Sequence, residues 1–206
     1  MAKHKLSKVV IPIAGLGTRM LPATKAIPKE MLPVAGKPII QHIVEEASLA
    51  GFSEIIFVTH SSKYSVENHF DTSFELEAAL EKRVKRSLLK EIKNISKLNI
   101  NISSLRQGEA KGLGHAILCA KPLLNEEPFA VMLPDMIIDI NTKKSNLYSM
   151  KNEFEKSGQS SVLLGTAKKS ETSKYGIAKI ARSKNSNGSY KLENIILNDC
   201  YILHSI

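Results

Sequence analysis

The feature that most constrains this chain is an apolar, β-branched run, Lys8-Val-Val-Ile-Pro-Ile13, that leads directly into Ala14-Gly-Leu-Gly17. A run with no polar face is a strand covered on both sides, the usual condition of a strand in a parallel sheet. Glycines at its carboxyl end permit a tight loop and let backbone N–H groups approach a phosphate or a base edge. The loop continues to Lys37, and its prolines at 22, 28 and 33 each disfavour helix at the residue before.

The chain beyond that loop alternates between strand and helix patterns. Pro38 suits a first helical turn, and Ile39, Ile40, Ile43, Val44 and Ala47 then fall on one face, with Gly51 as the stop. Glu54–Thr59 reads as the second strand. From Phe74 to Ile95, Leu76, Leu80, Val84 and Leu88 lie four apart and predict a long amphipathic helix, whose apolar stripe suits a core or a subunit interface. A homo-oligomer is compatible with that stripe. Asn99–Leu105 reads as a strand, Gly112–Ala120 as a helix and Phe129–Pro134 as a strand ending at Asp135. Residues 145–157 read as a helix, Ser161–Thr166 as a strand, and the rest as short strands around a turn at Asn187-Gly188. Such alternation predicts an α/β fold with a mostly parallel sheet flanked by helices. No linker or repeat marks a second domain, so residues 1–206 are expected to form one.

Charge narrows the function. With 29 Lys+Arg against 20 Asp+Glu the chain carries +9, which invites nucleic acid as a partner. However, it has no tryptophan and only 5% aromatic residues, so stacking platforms for single strands are hard to build, and no nucleic-acid signature is present. One basic cluster, Arg19, Lys25, Lys29 and Lys37, lies inside the Gly/Pro loop, where a small polyanion fits better. Cations crowded on one stiff loop repel each other unless an anion sits among them; a merely solvated surface loop is the alternative reading. The Gly15-x-Gly17 pair alone is a weak signal. A dinucleotide fingerprint wants Gly or Ala where Met20 stands, and the Gly-Lys-Ser/Thr of a P-loop is absent. No apolar run is long enough to span a membrane, and Lys3, Lys5 and Lys8 are followed by no signal-like core. Cys119 and Cys200, without C-x-x-C, support neither a disulfide framework nor a zinc ribbon, so the cytoplasm is the expected compartment.

Three further positions bear on chemistry. Asp135, at the carboxyl end of a strand, is either a carboxylate for a hard cation or the start of a turn. Gln107, taken alone, reads as an exposed loop amide. His60, His69 and His115 are not at metal-ligand spacing and are expected to be structural or at the surface.

The stretch from Pro12 to Pro33 resembles the signature of bacterial UTP–glucose-1-phosphate uridylyltransferases, within the larger sugar-nucleotidyltransferase superfamily. Thr59-His-Ser-Ser-Lys63, Glu67–Glu77, Glu81–Arg86, Arg106-Gln-Gly108, Lys111-Gly-Leu-Gly-His-Ala116 and Leu133-Pro-Asp135 follow that family in order, from about Lys8 to Gly176. The resemblance implies a Rossmann-like fold of the nucleotide-diphospho-sugar transferase type. It also implies uridylyl transfer from UTP to glucose 1-phosphate with Mg²⁺ as cofactor. Residue by residue, it implies that Ala14 and Gly15 meet the uracil through their backbone. Gly17, Thr18 and Arg19 cradle the triphosphate, and Lys29 reaches the α-phosphate. Gln107 reads the base edge, Gly112 lets the backbone close on the nucleoside, Asp135 binds the metal, and Tyr175-Gly176 meets the hexose. Family members are longer: a Val-Glu-Lys-Pro-like clamp for the sugar phosphate and a second metal aspartate are expected beyond the Tyr-Gly. Here Tyr190–Ile196 runs instead into Leu197–Ile206, so a C-terminally truncated member is expected. An active transferase, a nucleotide-binding remnant and a transferase for another sugar 1-phosphate all remain open at this point.

Overall fold

The computed structural model describes residues 4–137, 145–166, 176–184 and 188–196, and the chain divides into two compact units, residues 1–159 and 160–206. In the first, strand β1 (Lys8–Pro12) leads through single 3-10 turns at Thr18–Met20, Ala23–Lys25 and Lys29–Met31 to a miniature antiparallel pair, β2 (Pro33–Val34) and β3 (Lys37–Pro38). Helix α1 (Ile39–Leu49) follows, then β4 (Glu54–Thr59), α2 (Tyr64–Phe70), α3 (Phe74–Lys82), α4 (Arg86–Ser96) and β5 (Asn101–Arg106). Helices α5 (Leu113–Cys119) and α6 (Lys121–Leu124), strand β6 (Phe129–Val131) and helix α7 (Asn146–Ser157) complete it.

Strands β1, β4, β5 and β6 form one parallel sheet, ordered β5-β4-β1-β6. This is the parallel sheet flanked by helices that the alternation predicts, and the Rossmann-like arrangement that the resemblance implies. Strand β1 is central, and Val9, Val10 and Ile11 are fully buried, as an all-apolar run demands. On one face, Val10, Ile56 and Val58 pack with Ala116, Ala120 and Leu124 of α5 and α6. Helix α1 buries Ile40, Ile43, Val44 and Ala47, while Pro38 stands just before its first turn. Gly51 ends it in the left-handed region at φ +81°, its N–H donating to the Ser48 carbonyl.

Two expectations are corrected. The helix expected from Phe74 to Ile95 is two helices, α3 and α4, because the chain reverses at Val84, which takes φ +53°. No residue of either helix is buried, so the apolar stripe is not core. The strand expected over Ser161–Thr166 is a single bridge at Val162. The second unit, taken by itself, is a two-stranded antiparallel ribbon of β7 (Ile177–Lys184) and β8 (Tyr190–Ile196). Gly188 lies in the left-handed region at its turn, as expected; Asn187 lies outside the described residues. Among the described residues, no helix is long and apolar enough to cross a membrane.

Candidate functional site

Because all four strands of the sheet run the same way, the segments that leave their carboxyl ends share one rim. The chain steps outward from β1 to β4 to β5, then returns to the other side of β1 as β6. That reversal makes the β1/β6 junction a topological switch point, where open α/β sheets leave a crevice. Ala14–Lys37 leaves β1, His60 leaves β4, Gln107 leaves β5 and Asp135 follows β6. From β5 to β6 is three strand spacings, about 14 Å, wide enough for a nucleotide laid across the rim.

The junction is closed by an ion pair. Lys29 Nζ donates to Asp135 Oδ2 at 2.8 Å, joining the β1 loop to the segment after β6. Side-chain exposures of 18% and 39% leave the pair in contact with water, where such pairs contribute little stability and are readily exchanged for other partners. Two members of the basic loop cluster thus have carboxylate partners in the protein itself, since Lys37 also bonds Glu45 at 2.9 Å. Burial pushes the Glu45 carboxyl up, but the hydrogen bonds from Lys37 and Gln41 and the electrostatic pull of Lys37 and His42 together hold it below its usual range.

The loop is shaped around Gly17, which takes φ +68°, ψ 28°. Its carbonyl accepts from Thr24 Oγ1 at 2.7 Å and from the Met20 N–H at 3.0 Å. A Cβ at Gly17 would meet Thr24 at 3.2 Å, so glycine is required by both backbone and space. A Cβ at Gly15, by contrast, would meet no protein atom within 4 Å, so the fold itself makes no demand for glycine there. Thr18 and Arg19 follow on the exposed 3-10 turn, and Ala14 is buried at its start.

The loop is fastened from beneath by a contact that no motif announces. Lys63 Nζ, on the 3-10 turn after β4, donates to Glu30 Oε2 at 2.7 Å, and both side chains are almost wholly buried. Glu30 follows Lys29 directly, so this buried pair fixes the backbone from which Lys29 reaches out. Its partners are 33 residues apart, and only an acidic residue in an otherwise basic loop hinted at it.

Gln107 is buried, not the exposed loop amide that was the alternative. Its backbone N–H donates to the Thr59 carbonyl at 2.8 Å, seating it beside the end of β4. Its side-chain Nε2 donates to the Gly112 carbonyl at 3.2 Å and to His115 Nδ1 at 2.9 Å. Gly112 has φ +86°, ψ −178°, a conformation essentially confined to glycine. His60 bonds Ser62, and His69 bonds Gln41 at 3.0 Å, where burial pulls the imidazole below its ordinary value; both fit the structural role expected of them. Tyr175 lies outside the described residues, and Gly176 stands, half-buried, before β7 in the second unit. A groove of about 450 Å³ along the outer edge of β5, lined in part by Phe70, Ile95 and Ile102, shares no residue with the rim.

A glycine loop, a cation–carboxylate pair at the switch point and a buried amide on one rim suit a nucleotide. The nucleotidyl transferase family model matches residues 8–194. This chain belongs to the nucleotidyl transferase family. Among members, it is 52% identical over 193 residues to the UTP–glucose-1-phosphate uridylyltransferase of Haemophilus influenzae, covering 92% of this chain and 65% of that protein. It is 58% identical over 163 residues to the enzyme of the same name from Escherichia coli, covering 78% and 54%. The chain therefore spans between about half and two thirds of these relatives' length. Among solved structures, the UTP-bound UGPase from Acinetobacter baumannii superposes with a TM-score of 0.91 at 38% identity, over 98% of this chain and 74% of that one. A UDP-glucose pyrophosphorylase complexed with UDP-glucose gives 0.80 at 39% identity, over 95% and 70%.

Proposed function

We propose that this nucleotidyl transferase acts on UTP and glucose 1-phosphate, giving UDP-glucose and pyrophosphate. The observation that carries the reading is the Lys29–Asp135 pair beside the glycine loop, in a chain 52–58% identical to uridylyltransferases. Uridylyl transfer is in-line attack of a sugar-phosphate oxygen on the α-phosphorus of UTP. The nucleophile is already an anion, so the protein's task is to place charge rather than to move a proton. Uracil lies over Ala14 and Gly15 with Gln107 at its edge. Gly17, Thr18 and Arg19 hold the triphosphate, Arg19 taking the departing pyrophosphate. Lys29 turns from Asp135 to the α-phosphate, and Gly112 admits the nucleoside. The resemblance assigns the hexose to Tyr175 and Gly176.

The donor set fits Mg²⁺, which takes one or two carboxylates and completes its shell with water and phosphate oxygens. Asp135 is a half-exposed carboxylate at the phosphate end of the rim, and among the described residues no three-residue cluster offers a protein cage. Asp135 would hold the ion, and once bound it supplies positive charge to the phosphates. A nucleotide that draws Lys29 away leaves the carboxylate available. This chemistry belongs in the cytoplasm, consistent with the free thiol of Cys119.

Calorimetric titration of UTP at stepped Mg²⁺ concentrations tests the site. Affinity is expected to rise with Mg²⁺ in the parent chain, and most of that dependence is expected to vanish in Asp135→Asn. An Asp135→Asn chain that kept the full dependence would remove the metal assignment. Formation of UDP-glucose from the two substrates, set against other sugar 1-phosphates, tests the reaction itself.

A further inference from the structure

We propose that His115 is a positioning residue that sets the base selectivity of the site, by fixing which end of the Gln107 amide faces the nucleotide. The inference rests on the reading of Gln107 as the base-edge contact and adds to it what decides its sense. A primary amide can turn over and present either a donor or an acceptor, so an amide that reads a base needs something to hold it. The Gly112 carbonyl can only accept, and the Gln107 atom bonded to it is therefore the nitrogen. The second Nε2 proton points to His115 Nδ1 at 2.9 Å. Both amide protons are thus used within the protein. Among the described residues Oε1 has no protein donor, and it is not among the buried atoms lacking a partner, so on a largely buried side chain it keeps some contact with solvent.

The same contact defines the imidazole. To accept from Gln107, His115 Nδ1 must carry a bare lone pair, so the ring is neutral with its proton on Nε2. Cys119 Sγ, one helical turn on, lies 4.0 Å from the same nitrogen and makes at most a weak additional contact. His115 and Gly112 both belong to the start of α5, where Ala116 anchors the helix in the core beside Val10 and Val58. The geometry that orients Gln107 is accordingly built into the packed part of the first unit.

An amide locked with Oε1 outward offers an acceptor. Uracil presents N3–H, a donor, at its pairing edge; cytosine has a bare lone pair at N3 and is of nearly the same size. The lock therefore favours UTP and opposes CTP, while contacts to the triphosphate are common to both. Without His115 the amide keeps a single anchor and can turn its NH₂ outward, toward what cytosine wants.

The experiment measures UTP and CTP affinities by calorimetry, at fixed Mg²⁺, for the 206-residue chain and three variants. His115→Leu removes the acceptor and is expected to lower the UTP-to-CTP ratio roughly 3- to 10-fold, the weight of one neutral hydrogen bond. His115→Asn puts Oδ1 near the position of Nδ1 and is expected to keep the ratio within about twofold of the parent, on the same hydrogen-bond reasoning. Gln107→Ala tests the underlying base contact. A lowered ratio in Gln107→Ala with an unchanged ratio in His115→Leu would overturn the role of His115 alone. An unchanged ratio in Gln107→Ala would overturn the base contact and the inference with it. Asn falling as far as Leu would reduce His115 to packing. Independently of any variant, the ring ¹⁵N shifts of His115 in the parent chain are expected to show the Nε2–H tautomer; the Nδ1–H tautomer would overturn the proposal.

Discussion

Strand β1 and strand β7 make an instructive pair. Each is a regular strand hydrogen-bonded to a neighbour, but β1 buries Val9, Val10 and Ile11 completely whereas no residue of β7 is buried. The difference lies in what covers the strand. β1 has a strand on each side and packs against α5, whereas β7 has β8 as its partner in a two-stranded sheet. A two-stranded ribbon is marginal in water without further cover, while a central strand in a helix-flanked sheet is the most stable part of a fold. Hydrogen bonding gives both regions their conformation; burial gives only the first its strength. The rim at the carboxyl ends of the strands, with Lys29, Gln107 and Asp135, is built on the first.

The largest expected effect exposes that contrast directly. Phe57→Ala, in the centre of β4, removes a fully buried ring packed near Phe70 and should cost about 3–5 kcal/mol in urea denaturation. Ile180→Ala, on the 38%-exposed side chain of β7, should cost less than about 0.5 kcal/mol. Equal losses at the two sites would abolish the distinction.

Next in size is the strut beneath the loop. Lys63→Met leaves the Glu30 carboxylate buried without its cation and should lower stability by about 3 kcal/mol. Replacing Glu30 and Lys63 together with apolar residues of similar volume should recover most of that loss, while UTP binding stays weakened because the loop has lost its anchor. Full recovery of binding in the double variant would show that the pair supports the core but not the site.

Arg19→Ala should weaken UTP binding by roughly 1.5–3 kcal/mol, the value of a charge-assisted hydrogen bond. Calorimetry showing undiminished affinity in Arg19→Ala and Lys29→Ala alike would remove the phosphate loop from the rim.

The smallest effect is a pH dependence in the first unit. Burial holds His69 below its ordinary value of 6.5, so the unfolded chain takes up its proton before the folded one does. Stability from this group is complete above about pH 6.5 and declines as pH falls below it. His69→Asn should flatten that acid-side decline when urea midpoints at pH 7 and pH 5 are compared; an unchanged slope would assign the decline to other groups.

Much of this was legible in the residues for physical reasons. Val9–Ile11 and Ile55–Val58 announce buried strands because no polar face interrupts them, and Gly17 marks a position where only glycine fits. Asp135 was placed by its position at a strand end, and Lys29 sits beside it. The reversal at Val84 was hidden: Leu76, Leu80, Val84 and Leu88 keep helical spacing across it, and neither Gly nor Pro marks the break. Spacing records which residues share a face, not whether anything covers it. Glu30–Lys63 and Gln107–His115 escaped for a different reason, because side-chain contacts between separate segments depend on the assembled sheet and leave no period in the sequence.

The strand order also bears on biosynthesis. β1 is made first yet occupies the middle of the sheet, so its two edges are satisfied at different times. One edge waits for Glu54 and the residues after it, the other for Phe129. At roughly 5–20 residues per second the second wait lasts several seconds longer than the first. During that interval the nascent chain displays an apolar strand with an open edge, the feature that chaperones bind and neighbouring chains aggregate upon. The β1/β6 junction that makes the crevice is therefore also the last seam of this sheet to close, and it marks the point in translation at which β1 is paired on both sides.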